Sequence, residues 1–399
     1  MEQKEKSLIV GISTNIIFLG VVSFFTDIST EIVVALLPTF LVLQLGATPE
    51  IVGGIEGAAE SITSFLKLIS GAIADKTGKR KSLTLVGYGL SNVVKPFMGF
   101  VGNWEQVLGL RMTDRVGKGL RTPPRDAMIA DSTQEKKMGR AFGIHRTLDQ
   151  MGAVVGPVIA FLLFVPLGYQ GIFLFTAIPG AIAVAVLFIF VKEPPRRNSA
   201  PNASLKNARS LLNRTFSMYL GSATLYAIAA ISYAFILLRA VELGVPKEVT
   251  PLVYAGIQVF HVFASLPAGE ISDRLGRVRA IQLGYLFLLL SFVVIALAPN
   301  AWVLVLGVAL YGTHQGIVET SQRAIIPSLV TEEYRGTAYG LYNTLIGIVT
   351  FPTNLIAGFL FTINGSYTFY YGAVFAVLAS LTMALTQREG NKQATKRGL

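Results

Sequence analysis

Residues 111–126 read RMTDRVGKGLRTPPRD and lie between one apolar stretch ending near Gly102 and another beginning near Gly143. Five basic residues (Arg111, Arg115, Lys118, Arg121, Arg125) and two acids (Asp114, Asp126) are crowded into this segment. A basic side chain at the centre of a lipid-facing helix costs about 2.5 to 3.5 kcal/mol, so the segment cannot cross a bilayer in contact with lipid. It is either a loop or a helix enclosed by protein. The second option accounts for the apolar stretches on both sides, because charge at membrane depth is tolerated where it pairs or faces water.

The rest of the chain has the composition of an integral membrane protein: 52% of its residues are hydrophobic and only 14% charged. The absence of cysteine excludes disulfides, thiolate nucleophiles and cysteine metal sites. The three histidines are scattered, so no metal set and no cofactor is expected. A formal net charge of +11 would suit nucleic acid, but the lysines and arginines fall in short loops on one side of the spans, and a solvated membrane face is the simpler reading. Met1–Ser7 is charged, yet the apolar run after it is too long for a signal-peptide core, so no cleavable signal is expected.

Apolar runs of about 20 residues, read outward from this segment, number twelve. The first six cover 13–43, 50–74, 82–102, 105–130, 138–165 and 169–192, and the second six cover 214–241, 248–271, 279–298, 301–327, 335–361 and 366–387. The expected architecture is an all-α membrane protein of two six-helix bundles, residues 1–192 and 214–399, joined by a polar linker at 193–213. Lys76, Lys79, Arg80, Lys81, Lys136, Lys137, Arg140, the linker, Arg274, Arg277, Arg279 and Arg335 share one side, and Lys247 is the main exception on the other. The positive side is cytoplasmic, which puts both termini in the cytoplasm.

The two halves repeat. GAIADKTGKR at 71–80 matches GEISDRLGRVR at 269–279, and the same offset superposes Arg125 on Arg323. Self-similarity of this kind is expected of transporters built from repeated bundles around a midplane site. The pattern G-x-x-x-D-[RK]-x-G-[RK], present as Gly71, Asp75, Lys76, Gly78, Lys79, Arg80 and again as Gly269, Asp273, Arg274, Gly276, Arg277, resembles the signature loop of the major facilitator superfamily. That resemblance covers nearly the whole chain and implies a cytoplasmic latch at each loop. Span four is similar to the family's R-x-x-x-G-x-G-x-G helix through Arg111, Gly117 and Gly119, and departs from it at Asp114 and Arg115. Gly152, Gly156 and Pro157 in span five resemble the G-x-x-x-G-P of drug and metabolite antiporters, although small residues at this spacing equally serve helix packing. Other stretches resemble an uncharacterised prokaryotic permease subgroup.

In this family spans one, four, seven and ten line the cavity. Helical spacing puts Arg111, Asp114, Arg115, Lys118 and Arg121 on adjoining stripes of span four, the cationic wall of a wet vestibule. Pro123 and Pro124 are expected to break or kink that helix. Asp27 and Glu31, one turn apart in span one, are the expected proton carriers, with Arg115 or Arg111 releasing whichever carboxylate takes the proton. Asp149, Glu319 and Arg323 complete the expected cavity charges, and Arg125 and Asp126 go with Asp75 to the cytoplasmic gate. Glu56 and Lys95 suit an outer surface as readily as a functional role, and His261 and His314 suit polar packing.

The resemblance implies a secondary transporter moving a small organic solute across the cytoplasmic membrane by alternating access, with proton-coupled export the leading expectation. The alternative is a carrier of an organic or phosphorylated anion held by the basic residues of span four; a non-transporting receptor is more remote. No nucleotide-binding P-loop, H-E-x-x-H pair or serine elbow points to an enzyme. Expected partners are the solute, protons and the lipid bilayer, with the chain a monomer and no nucleic acid bound.

Overall fold

In the computed structural model, residues 13–133, 137–195, 214–330 and 335–396 are described; for 323, 324, 327, 328, 335, 336 and 388–396 only the backbone is. The helices are α1 (Thr14–Leu43), α2 (Pro49–Thr77), α3 (Arg80–Val94), α4 (Trp104–Asp131), α5 (Met138–Phe175), α6 (Ala177–Phe190), α7 (Arg214–Ala229), α8 (Ala234–Glu242), α9 (Thr250–Leu275), α10 (Arg277–Leu297), α11 (Ala301–Leu329), α12 (Arg335–Ile363) and α13 (Gly365–Lys396). No strand occurs among the described residues. Eight helical stretches among them are long and apolar enough to cross a membrane, and one of these, Met138–Phe190, covers two predicted spans. The second, third and fourth spans fall short by length or composition, the fourth because of the charges of residues 111–126.

Four predicted spans depart locally from a single regular helix. Span three ends in a 3₁₀ segment, Lys95–Phe100, where Pro96 has no backbone N–H to continue the α-helical ladder. Spans five and six meet at Gly168, which takes a φ of 60° inside α5, and span six is divided at Thr176, where α5 gives way to α6. Span seven is split into α7 and α8. The freed backbone is met by side chains: Asn354 Oδ1 accepts from Ser232 N at 2.8 Å, and Tyr311 Oη donates to the Ile231 carbonyl at 3.1 Å.

Of the expected break or kink at Pro123 and Pro124, the break is corrected, for α4 runs through both. A proline at 123 leaves the Gly119 carbonyl without its helical donor, and Ser70 Oγ supplies one at 2.8 Å. Enclosure by a neighbouring helix lets the ladder continue.

The chain forms two compact units: Met1–Gly46, Ile62–Ser199 and Glu248–Ala255 in one, and Ala47–Ser61, Ala200–Lys247 and Gly256–Leu399 in the other. Their internal pairings repeat. In the first, α3 lies against α4 and α6, and α1 against α6; in the second, α10 lies against α11 and α13, and α7 against α13. Asn103 caps α4 by accepting from Gln106 N at 3.0 Å, and Asn300 caps α11 by accepting from Trp302 N at 3.1 Å and Val303 N at 3.2 Å. The first unit is centred on Ile16, Leu19, Val22, Tyr88 and Met128, and the second on Phe216, Tyr219, Ile281, Tyr285 and Val318.

The repeated loops turn as their glycines predict, with φ of 69° at Gly78 and 85° at Gly276, conformations that disfavour any side chain. In the first loop Arg80 is buried between Asp131, which it contacts, and Asp75 at 3.8 Å. The first turn of α3 is capped by Glu193, whose carboxylate accepts from Arg80 N at 3.1 Å and Lys81 N at 2.7 Å. The predicted linker therefore begins tied to the first unit, and its residues 196–213 lie outside the described residues.

Candidate functional site

The acids of α1 meet α5 because α5 presents no side chain between the two backbones. A Cβ on Gly156 would stand 2.9 Å from the Ile28 carbonyl oxygen and 3.1 Å from Glu31 Cβ. One on Gly152 would collide with the Phe24 carbonyl oxygen and lie 3.0 Å from Asp27 Cβ. The glycines of the span-five motif thus fit α5 onto α1 at the level of its two carboxylates. Asp149, less than a turn before Gly152, brings its carboxyl group up to that of Asp27.

Cations hold the pair from the α5 and α4 sides. Arg146 Nη1 stands 3.1 Å from Asp149 Oδ2, Arg125 Nη1 stands 3.9 Å from Asp149 Oδ1, and the Lys118 charge acts on Asp27. Arg125 is braced by Asp126 at 2.9 Å and donates to Ser23 Oγ at 3.3 Å. That hydroxyl also lies 3.0 Å from Tyr88 Oη and 2.9 Å from His145 Nε2. Ser23 is therefore the junction of a polar chain that runs through the interior of the first unit. The second α1 acid, Glu31, accepts from Tyr254 Oη at 2.7 Å.

This arrangement corrects several expected partnerships. Arg125 faces Asp149 and Ser23, while Asp75 has Arg80, so Arg125 does not join Asp75 in a gate. Arg111 and Arg115 both lie against Asp114, at 3.4 and 3.9 Å. Ser91 Oγ donates to the other Asp114 oxygen at 2.5 Å. The Arg121 guanidinium covers the Tyr88 ring at 4.6 Å from its centroid. Arg111, Arg115 and Arg121 are all buried, so these three do not form a wet cationic wall; Lys118 is half-buried. The outer-surface reading of Lys95 also fails: it is 1% exposed and donates to Asn92 Oδ1 at 2.9 Å and Ser29 Oγ at 3.4 Å. Glu56 is likewise buried and accepts from Tyr233 Oη at 3.2 Å.

In the second unit Glu319 Oε2 lies 3.2 Å from His261 Nε2, a pairing between α11 and α9 that spacing alone did not suggest. The Arg323 side chain lies outside the described residues. Gly71 rests against Pro123, Gly269 borders open space, and Asp273 and Arg274 are exposed. Pro157 continues α5 directly after Gly156.

The sequence profile of the Major Facilitator Superfamily matches residues 19–241 and 215–398. The chain is 31% identical over 383 residues to an uncharacterised MFS-type transporter of Methanocaldococcus jannaschii, covering 93% of this chain and 94% of that one. It is 25% identical over 375 residues to the multidrug resistance protein MdtG of Salmonella typhimurium, covering 90% of each. Among solved structures, a variant of the nucleoside transporter NupG superposes with a TM-score of 0.81 at 14% identity, covering 94% of this chain and 100% of that one.

Proposed function

The chain belongs to the major facilitator superfamily, and from that premise we propose that it is a proton-coupled secondary transporter exporting a small organic solute. We assign it to the cytoplasmic membrane, with both termini in the cytoplasm, acting as a monomer. The observation that carries the proton assignment is the carboxyl pair of Asp27 and Asp149. A carboxyl pair that shares one proton, held beside Arg125 and Arg146, has two states of different charge. With the proton gone, both carboxylates depend on the arginines; with it present, Arg125 is released towards Ser23. Solute and proton that draw on this one network affect each other's binding equally, and that is the coupling an exchanger needs. Asp27 and Asp149 are the carriers in this scheme, Glu31 is held by Tyr254, and Asp114 has a structural role beside Arg111 and Arg115. Likeness to a multidrug resistance protein supports export of an organic solute.

A second reading, an anion carrier, is favoured by one observation: Arg115 Nε and Arg121 Nη1 are buried without a hydrogen-bond partner. Both guanidiniums are sealed in the first unit at 5% and 4% exposure, so an anion would have to enter behind Asp114 and Tyr88 to reach them.

The test uses proteoliposomes and a solute identified by its stabilisation of the purified protein. Asp27→Asn and Asp149→Asn are expected to abolish proton-gradient-driven flux while leaving solute exchange at equal pH intact. Full gradient-driven flux by an Asp27→Asn, Glu31→Gln double variant removes the proposed carrier.

A further inference from the structure

We propose that the first unit holds one small inorganic anion, of the size and charge of chloride, in the buried space beside Arg115 and Arg121 on α4. The ion is a resident part of the fold rather than cargo, so the inference goes beyond the exporter reading and does not depend on it.

The carboxylate among these cations is already engaged. Asp114 accepts from Ser91 Oγ at 2.5 Å through one oxygen and turns the other to Arg111 at 3.4 Å and Arg115 at 3.9 Å. At 3.9 Å the Arg115 contact is an ion pair too long for a hydrogen bond, and Arg115 Nε has no hydrogen-bond partner among the described residues. Arg121 Nη1 has none either. Its guanidinium rests 4.6 Å from the centre of the Tyr88 ring, which answers the charge and leaves this donor unused. Lys95 brings a further cation: it is 1% exposed, and the charges of Asp114, Arg121, Asp27 and Arg115 all act on it. Arg111, Arg115, Arg121 and Lys95 are thus four buried cations on this part of the unit. Burying a cation is costly unless it is paired and hydrogen-bonded, and native interiors rarely leave such donors unmet. Water meets a donor but leaves the charge, whereas an anion answers both.

The close fit of α3 and α4 limits the size of the ion. A Cβ on Gly117 would stand 2.6 Å from the Gly87 carbonyl oxygen and 2.8 Å from Ser91 N, and one on Gly87 would stand 2.8 Å from Arg121 Cβ and N. Gly117 lies between Arg115 and Arg121 in the chain, so the two guanidiniums spring from a seam with no room for an organic acid. The Lys95 ammonium donates to Asn92 Oδ1 at 2.9 Å and Ser29 Oγ at 3.4 Å, and its part is to add positive field. A monatomic anion needs only that field and the two unmet N–H groups. Because Arg115 and Arg121 are 5% and 4% exposed, the ion is enclosed as the unit folds.

The experiment follows thermal unfolding of the purified protein in lipid nanodiscs by intrinsic fluorescence. The protein is first dialysed exhaustively against gluconate, then placed in buffers of equal ionic strength made with sodium chloride, bromide, sulfate, benzoate or gluconate. Chloride and bromide are expected to raise the melting temperature above that in gluconate, and benzoate is not. Once the site fills, each tenfold rise in chloride should lower the unfolding equilibrium constant about tenfold. A general salt effect ranks the anions differently, with sulfate first, because sulfate is excluded from protein surfaces. Arg115→Gln and Arg121→Gln should each move the chloride response to about tenfold higher concentration or beyond, while Lys192→Gln, at an exposed position, should respond like the parent. If Arg121→Gln fails to fold, Arg121→Lys, which keeps the charge and loses the planar fork, takes its place with the same expectation. The site is overturned if chloride and gluconate give the same melting temperature, if sulfate stabilises as well as chloride, or if the arginine variants respond like the parent. Stabilisation by benzoate overturns it in favour of the anion carrier.

Discussion

Replacing Asp114 by asparagine should destabilise the first unit without acting on proton coupling. Asp114 is 2% exposed, and its arginine partners Arg111 and Arg115 are 1% and 5% exposed. Asparagine has nearly the same volume and can still accept from Ser91, so no cavity opens and the change is one of charge alone. Two buried guanidiniums would then lose the counter-charge beside them. Breaking a buried pair by removing one partner costs about 3 to 5 kcal/mol, well above the roughly 0 to 1 kcal/mol of an exposed pair. The assay is denaturant-driven unfolding of the purified protein in detergent micelles, followed by intrinsic fluorescence. An Arg111→Leu change added to Asp114→Asn removes one of the stranded charges, and part of the loss should return, by about 0.5 to 3 kcal/mol for groups in contact. An Asp114→Asn protein as stable as the parent but defective in transport refutes the structural assignment and makes Asp114 a working carboxylate.

Gly117→Ala should cost about 1 to 3 kcal/mol in the same unfolding assay, since its Cβ would stand 2.6 Å from the Gly87 carbonyl oxygen and 2.8 Å from Ser91 N, and α3 and α4 must separate. Glu193→Ala should cost about 1 kcal/mol and raise amide exchange at Arg80 and Lys81; unchanged exchange there contradicts the capping role. Gly276→Ala should cost about 1 to 2 kcal/mol because of its φ of 85°, and Gly276→Asn less, since asparagine tolerates the left-handed region; equal losses from the two argue against backbone strain as the cause.

The helices were legible because bilayer thickness imposes a length on every apolar run, and the repeated loops were legible because a left-handed glycine followed by basic residues has few other uses. Asp27 and Glu31 stood out as acids one turn apart in an apolar span. Which of them meets another acid was not legible, for that depends on where α5 crosses α1. The signal lay in Gly152 and Gly156, whose spacing reports a close helix contact but does not say which helix is contacted. The place of Arg125 along α4 suggests a gate, although burial turns it inward to Asp149. Helical periodicity puts the cations of α4 on one stripe and does not reveal that Asp114 sits among them as a counter-charge. Pro123 and Pro124 misled for a related reason, since the donor that rescues the Gly119 carbonyl comes from Ser70 on another helix.

The most direct measurement is an infrared difference spectrum of the purified protein at neutral pH, parent minus Asp27→Asn and parent minus Asp149→Asn, in the region of the protonated carboxyl stretch. A proton held between these two side chains gives the parent a carboxylic-acid band that disappears in both variants. A band that survives both replacements, or a parent spectrum with none, contradicts the shared proton on which the transport scheme is built.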